Sequence, residues 1–480
     1  MYRRNFSNAS SPVDKIGRFR WPWLFGLCAL VLLLCLFRTG RRTDPPNPRG
    51  ARGEAITSSP LTENPKATPG WQPLVARPAS RSSLPPEEVV AQKLARFACS
   101  RREFVNQRAR RLSIAVPPEL DRFFDAVESG DWNKIEAIFT QINGGDSSAG
   151  HSRERSPEVQ QLWPAIIDAY GAAEQVHLWP AQQLLDYGNS VLGALRPGMV
   201  YVGGTDNGRW IPELLNDTSD GEQHIVLTQN ALADSQYLDY VTEQYGDRLA
   251  ALTPDDSQRA FAEYIADAQK RFQHDQQLPD EPKQVRPGED ISMVDGKVQV
   301  GGQTAVMAIN EKLLQTLMQK NPDLSFAIEE SFPLKNTYAD ALPLGPLMEL
   351  GAADGQNTFT ADRATESLDY WRNAAQQLMS DPEAAGSESA LRSYSHDTVA
   401  AANLLAAHSF TAQAEEAYRL ASQLWPENPE AVNGLANLLA VSGRADQGKR
   451  LLDGFAQEYP ELLKSLDQSS AAWTLRSSKR

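Results

Sequence analysis

The sequence predicts a multidomain chain with one N-terminal transmembrane helix, a disordered linker, a mixed α/β domain and C-terminal α-helical repeats. Three observations predict it: an uncharged apolar run near the N-terminus, alternating strand and helix signals from about residue 196, and two prolines, Pro426 and Pro460, that lie 34 residues apart and each end an amphipathic helix. With 480 residues, of which 41% are hydrophobic, the chain has enough apolar side chains for two or three packed domains.

The domain boundaries follow from changes in composition along the chain. We predict a short basic N-terminus over 1–20, a transmembrane anchor over 21–37, a linker rich in Pro, Ser and Arg over 38–86, a helical region over 87–195, the α/β domain over 196–350, the repeats over 360–462 and a tail over 463–480.

The charge is divided unevenly along the chain. Of its 47 Lys and Arg and 61 Asp and Glu, residues 1–111 hold 20 and 7, and the remainder holds 27 and 54. Because the larger part is strongly acidic, nucleic-acid binding is not expected there. The 3 cysteines, two of them inside the apolar run, cannot form a disulfide framework for the folded part.

The apolar run Trp21–Phe37 is flanked by arginines on both sides and carries two tryptophans at its start. Its length is at the short end for a bilayer span, and no small-residue cleavage site follows it. We therefore predict a single-pass membrane protein whose soluble bulk is extracytoplasmic, the orientation being only weakly set by the flanking charges.

The predicted helical region begins with a helix that carries many arginines: Arg96, Arg101, Arg102, Arg108, Arg110 and Arg111. They indicate either a solvated helix face or contact with anionic headgroups. After it, two short amphipathic helices meet at Gly130, with Asp131 as the expected cap of the second.

The central region alternates strands and helices. "GMVYVGG" and "HIVLTQN" read as strands, each followed by a helix, and "LSFAIEES" reads as a later strand. Two strand-to-helix units in sequence predict a parallel sheet, and "ISMVDGKVQV" predicts a hairpin with its turn at Asp295–Gly296.

The stretch "VYVGGTDNGRW", residues 200–210, supplies the candidate ligand site. It does not match the dinucleotide motif, and a phosphate loop is spoiled by Arg209 and Trp210, which stand where Lys and Ser or Thr are needed. Polar groups at the carboxyl ends of strands in an open sheet nevertheless face a common crevice. The candidate site residues are Gly203, Gly204, Thr205, Asp206, Arg209, Asn230, Glu329 and Glu330. The alternative is a tight turn whose glycines adopt positive φ.

Recognisable catalytic and metal-binding motifs are not found. The chain has no G-x-S-x-G, no H-E-x-x-H and no C-x-x-C, and its 6 histidines are scattered. The sequence therefore names no catalytic residue, no metal site and no cofactor.

The C-terminal helices repeat small and large residues at a fixed offset. Leu435, Ala436 and Leu439 lie in a helix before Gly443, Leu452 and Phe455 in the next one, and Ala414, Tyr418 and Ala421 before Pro426. In these residues and in its 34-residue period the chain resembles the tetratricopeptide repeat (TPR) family, although Gly448 replaces the usual alanine and Ser409 the turn glycine. The resemblance implies paired antiparallel helices that bind a protein partner; the alternative is that two repeats only stabilise the neighbouring domain.

A second resemblance covers the central region. The runs "VYVGGTDNGRWIPELL" and "SFAIEESFPLKNTYADALPLGPLMEL" resemble extramembrane tails of uncharacterised bacterial membrane proteins related to protein O-mannosyltransferases. The resemblance implies a bacterial cell-envelope setting and no transferase activity, because the multispanning catalytic part is missing.

These observations give two hypotheses of function. The first is a membrane-anchored cell-envelope scaffold or adaptor that binds protein partners through the repeats and the membrane through Trp21–Phe37. The second is a small-molecule-binding or sugar-modifying enzyme that uses the glycine loop of the α/β domain.

Overall fold

A computed structural model of the protein describes residues 84–144, 155–204, 207–286, 288–294, 297–330, 336–353 and 357–462. The chain divides into two compact units, and all of these residues belong to the second, Ala67–Arg480. The predicted basic N-terminus, the apolar run, nearly all of the linker and the C-terminal tail lie outside the described residues.

Five helices form the first part of the described chain. They are α1 (Pro86–Leu112), α2 (Pro118–Ser129), α3 (Trp132–Ile142), α4 (Pro157–Leu178) and α5 (Ala181–Ala194). The predicted helical hairpin is confirmed: Gly130 ends α2 at a φ of 68°, and the Asp131 side chain caps α3 by accepting a hydrogen bond from the Lys134 amide.

The arginines of α1 do not share one environment. Arg101 and Arg108 are only 3% exposed, whereas Arg96 and Arg110 are exposed. The expectation of one solvated basic face is therefore wrong, because every third or fourth residue of α1 points into the core and two of these are arginines.

A small sheet follows, together with four helices. Its region contains β1 (Val200–Gly203), α6 (Asn207–Asp217), β2 (Ile225–Thr228), α7 (Ser235–Tyr245), α8 (Pro254–Gln277), β3 (Asp290–Val294), β4 (Lys297–Gly301), α9 (Gln303–Lys320), β5 (Phe326–Ile328), β6 (Leu342–Leu344) and β7 (Leu347–Leu350).

The five-stranded sheet has the order β2-β1-β5-β7-β6. Strand β1 pairs in parallel with both β2 and β5, which confirms the predicted parallel core of the sheet. The antiparallel β6–β7 hairpin beside β5 was not foreseen, because its strands are three and four residues long, Pro343 lies within β6 and the turn is Gly345–Pro346. The predicted hairpin over 290–301 is present as a separate two-stranded sheet, β3–β4, whose turn residues lie outside the described ranges.

The last part of the described chain is helical. It contains α10 (Ala361–Ser380), the single turn α11 (Pro382–Ala385), α12 (Glu388–Ala407), α13 (Thr411–Leu424), α14 (Pro429–Val441) and α15 (Ala445–Glu458). Helices α12 and α13 form one antiparallel pair, α14 and α15 form a second, and α10 packs against α13. As expected, the segment before the repeats folds as a further helix beneath them.

The two helix pairs repeat in their backbone as well as in their sequence. Helices α13 and α15 begin and end 34 residues apart, and so do the turns that precede them, where Ser409 has a φ of 67° and Gly443 a φ of 78°. Ser409 thus adopts the left-handed conformation that the glycine holds in the next pair. Gly448 lies so close to the Ala436 backbone that an added Cβ would be 2.7 Å from its carbonyl oxygen, which explains why this position holds no alanine.

The predicted fold class needs correction. The described residues form 15 α-helices around a small sheet and belong to one compact unit, with no division into a mixed α/β domain and a separate repeat domain. The strand signals were read correctly, but each strand is short, and the helices between and around the strands supply most of the packed mass. The helical repeats pack directly on the β6–β7 hairpin, so the core is continuous across the predicted boundary.

The predicted single-pass localisation is corrected as well. In the ranges that the structure describes, no helix is both long enough and apolar enough to cross a bilayer. The run Trp21–Phe37, on which that prediction rested, lies outside these ranges.

Candidate functional site

The candidate site lies where the carboxyl ends of β1 and β5 meet α12. The glycine loop after β1 closes around the side chain that follows β5: the Gly204 amide donates to Glu329 Oε2 at 2.7 Å. A Cβ on Gly208 would overlap the same carboxyl group, so only glycine fits there. Three of the predicted residues, Gly203, Gly204 and Glu329, are thus brought together.

The rest of the loop is held from inside the sheet. The Tyr201 hydroxyl donates a hydrogen bond to the Gly208 carbonyl, and a Cβ on Gly203 would be 2.6 Å from that carbonyl oxygen. The glycines therefore serve close approach of backbone, and the loop already holds a carboxylate that belongs to the chain itself. The ligand-loop interpretation stays a prediction, since Thr205 and Asp206 lie outside the described residues.

Asp397 of α12 reaches the same place from the helical repeats. Its Oδ2 accepts a hydrogen bond from the Tyr187 hydroxyl at 3.1 Å, whereas its Oδ1 has no N–H or O–H donor among the described residues. The Glu329 carboxyl lines the same small cavity as Asp397, and a hydrogen bond between two carboxyls requires a proton on one of them. Asp397 is 2% and Glu329 5% exposed.

This environment favours the neutral form of Asp397. Burial raises the pKa of Asp397 well above its ordinary value, the negative charge of Glu329 raises the pKa further, and the neighbouring His396 lowers it. Burial raises the pKa of Tyr187 and Tyr201 as well, so both hydroxyls stay protonated donors. We call Glu329 and Asp397 the acid pair; burial and the negative charge of Glu329 both favour a proton on Asp397.

An ion pair lies at the rim of the acid pair. His396 Nδ1 is 3.1 Å from Glu430 Oε2, and the two side chains are 31% and 42% exposed. Burial lowers the pKa of His396, but the Glu430 carboxylate outweighs it and raises the pKa to about 10. The solvent contact of both side chains weakens this interaction, although its direction is clear.

A small cavity adjoins the acid pair. Its walls come from β5, the β6–β7 hairpin, α10 and α12, and its free volume for a water-sized sphere is about 10 Å³, room for about one water molecule. Asp397 and Leu404 line one side of it, and Trp371 lines another. Trp371 is 1% exposed, and its indole N–H has no acceptor among the described residues. A bound water could satisfy this donor and Asp397 together.

Arg209, a predicted site residue, belongs to a different cluster. Its guanidinium pairs with Asp168, and its Nε is 3.4 Å from Glu213 Oε2. Arg101 of α1 joins the same acids and also bonds Asp217 at 2.6 Å. We call these five residues the arginine cluster.

Of the two remaining predicted residues, Asn230 lies away from the acid pair, whereas Glu330 lines the same cavity. Asn230 is half-buried in the short 3₁₀ turn after β2. Glu330 is buried beside Glu329 and accepts a hydrogen bond from the Tyr338 hydroxyl. The predicted set therefore does not converge in one pocket, although half of it lies at the ends of β1 and β5.

Sequence reasoning missed the residues that α5, α10 and α12 bring to the site. Asp397 was detectable in principle: Asp397, Ala400, Ala401 and Leu404 follow the i, i+3, i+4, i+7 spacing of one helix face, and all four line the cavity. A carboxylate on an otherwise apolar face is unusual enough to mark a special position. Nothing in the sequence pairs Asp397 with Tyr187, because the two are 210 residues apart.

The comparisons with known proteins give no relative. No family model matches the chain, and neither the curated proteins nor the solved structures include a match. Within the described ranges, no group of three or more His, Cys, Asp or Glu side chains is placed to hold a metal ion.

Proposed function

We propose that this chain is a scaffold that binds a protein partner through the helix pairs α12–α13 and α14–α15. The observation that carries the proposal is their 34-residue repetition, which includes the matched left-handed turns at Ser409 and Gly443. Repeated helix pairs present side chains at a constant spacing, and such surfaces suit extended contact with another protein.

The attachment of the repeats supports this role. Helix α12 is held to α5 by the hydrogen bond between Tyr187 and Asp397, and just past its C-terminus His408 Nε2 lies 2.6 Å from the Tyr338 carbonyl oxygen. The α14–α15 pair lies beyond α12 and α13 in the chain, with its charged positions exposed on α15: Asp446, Lys449, Arg450 and Asp453. A rigidly held pair loses little conformational entropy when a partner binds.

The experiment that tests the proposal changes one exposed side chain in the second pair. Val441, at the end of α14, is 68% exposed, so Val441→Asp should leave the fold intact. The intact protein and the variant are each crosslinked in their native extract, and the partners are identified by mass spectrometry. Met293→Asp, at a position 49% exposed on the β3–β4 hairpin, is the matched control.

The expected result is a partner that crosslinks to α14–α15 and is lost with Val441→Asp but kept with Met293→Asp. The proposal fails if the intact protein enriches no partner over an unrelated control protein, or if every crosslinked site lies outside α12–α15.

A further inference from the structure

A buried cluster of acids lies at the contact between the sheet and the repeats. Glu329 comes from β5, Asp397 from α12 and Tyr187 from α5, so three separate elements of the fold meet at one carboxyl group. We propose that the pair of Glu329 and Asp397 is a proton-operated latch that holds the helical repeats against the sheet.

The geometry gives the latch two sides. On the sheet side, Glu329 Oε2 accepts a hydrogen bond from the Gly204 amide, and the Glu329 carboxyl fills the space that a Cβ on Gly208 would take. On the helix side, Asp397 stands in the middle of α12, where a rigid helix carries it. A shared proton joins the two carboxyls, whereas two ionised carboxylates at this distance in a buried site repel each other.

The titratable groups that face Asp397 determine whether rising pH favours the closed or the open state. The titratable groups around Asp397 are Glu329 and Glu330 after β5, Tyr187 on α5, Tyr201 on β1, Tyr370 on α10, and Tyr394 and His396 on α12 itself, with Glu430 of α14 behind His396. Among these described neighbours, only His396 is cationic, and its charge is shared with Glu430. The negative charge of Glu329 and the burial of the site therefore decide the outcome, and both favour the protonated pair.

The direction of the pH dependence follows. A carboxyl whose folded pKa is raised contributes stability that is fully present below its unfolded pKa, about 3.9 for Asp, and is lost as pH rises through the folded pKa. The latch is therefore closed at low and neutral pH and weakens toward alkaline pH. Opening separates α12 from β5 and uncovers the cavity wall formed by Met348, Trp371 and Leu404.

Hydrogen exchange of the full chain tests the latch directly. Exchange of amides in α12 and β5 is measured from about pH 5 upward and corrected for the intrinsic exchange rate at each pH. In the wild type, the opening equilibrium of these segments should rise with pH by up to about tenfold per pH unit, because one proton is released on opening. Helix α8, which does not touch the pair, should show no such rise.

Two variants make the result decisive. Asp397→Asn keeps the shape and donates a permanent hydrogen bond to Glu329, so the opening of α12 should no longer depend on pH. Tyr187→Phe removes the bond that favours ionised Asp397, so the rise should move to higher pH. The proposal is overturned if wild type and Asp397→Asn show the same pH dependence in α12, or if opening decreases as pH rises. Should Asp397→Asn not fold, an unchanged or downward-shifted profile in Tyr187→Phe overturns it equally.

Discussion

The arginine cluster and the acid pair are two buried groups of carboxyls that are neutralised by different means. In the arginine cluster, two guanidiniums, Arg101 and Arg209, face three acids across α1, α4 and α6. In the acid pair, two carboxyls meet with no arginine or lysine among the described residues that line their cavity. One site uses fixed cations, and the other uses a proton.

The difference shows how each region responds to its surroundings. Guanidiniums keep their charge at every accessible pH, so most of the arginine cluster stays paired. Within the cluster, burial raises the pKa of Glu213 and the negative charge of Asp168 raises it further, whereas Arg209 and Arg101 oppose both effects. A shared proton, by contrast, is exchanged with solvent when the site opens. The arginine cluster therefore holds its helices together at every accessible pH, whereas the contact at the acid pair can open when its proton is lost.

The largest effect should come from breaking the arginine cluster. Arg101→Met removes one of the two cations and leaves Asp217 and part of Glu213 buried without a counter-charge. We expect a loss of about 3–5 kcal/mol in the free energy of unfolding, measured by chemical denaturation. The matched control is Arg372→Met, which breaks an exposed ion pair with Glu416 and should cost under about 1 kcal/mol. Equal effects from both substitutions would mean that the cluster gives the fold nothing beyond an ordinary ion pair.

A smaller effect tests the glycine loop at the acid pair. Gly208→Ala places a methyl group against the Glu329 carboxyl, which is held on its other side by the Gly204 amide. The free energy of unfolding should fall by about 1–3 kcal/mol, as overpacked sites do. Gly454→Ala in α15, where an added Cβ meets nothing within 4 Å, should instead stabilise the protein by about 0.5–1 kcal/mol. If Gly208→Ala behaved like Gly454→Ala, the loop would not be packed on Glu329.

The smallest effect compares one hydroxyl in each site. Tyr187 donates to Asp397, and Tyr240 donates to Asp168 at 2.7 Å. Replacing either by Phe should cost about 1 kcal/mol at neutral pH. Only Tyr187→Phe should change how stability depends on pH, because Asp168 keeps its two arginines when Tyr240 is replaced. Thermal unfolding at several pH values distinguishes the variants, and a pH-dependent change in Tyr240→Phe would remove the contrast between the sites.

Part of this arrangement could be predicted from the sequence, because it depends on residues that are close together in the chain. Gly130 favours a left-handed turn and the Asp131 side chain a helix cap, and the two are adjacent in the sequence, so the α2–α3 hairpin was predictable. The parallel pairing of β1 with β2 followed from two strand-to-helix units in succession. The glycine loop was also recognisable, because its glycines and polar residues are adjacent in the sequence.

The rest depends on contacts between residues far apart in the chain. Tyr187 and Asp397 come from different helices, and no periodicity pairs them. Arg209 was expected in a ligand crevice because it follows a strand, but Asp168 of α4 attracts it into the core. The packing of α12 side chains against the sheet, across the predicted boundary between sheet and repeats, is also a contact that no local pattern indicates.

The central claim, that a proton joins the sheet to the repeats, is tested most directly by infrared spectroscopy of the folded protein at neutral pH. The wild type should show a C=O stretching band of a protonated carboxyl group that is missing in Asp397→Asn, beside the band that Glu213, whose pKa is raised to about 8, gives in both proteins. A wild-type spectrum without the band, or one that Asp397→Asn leaves unchanged, would show that Asp397 carries no proton and would contradict the account.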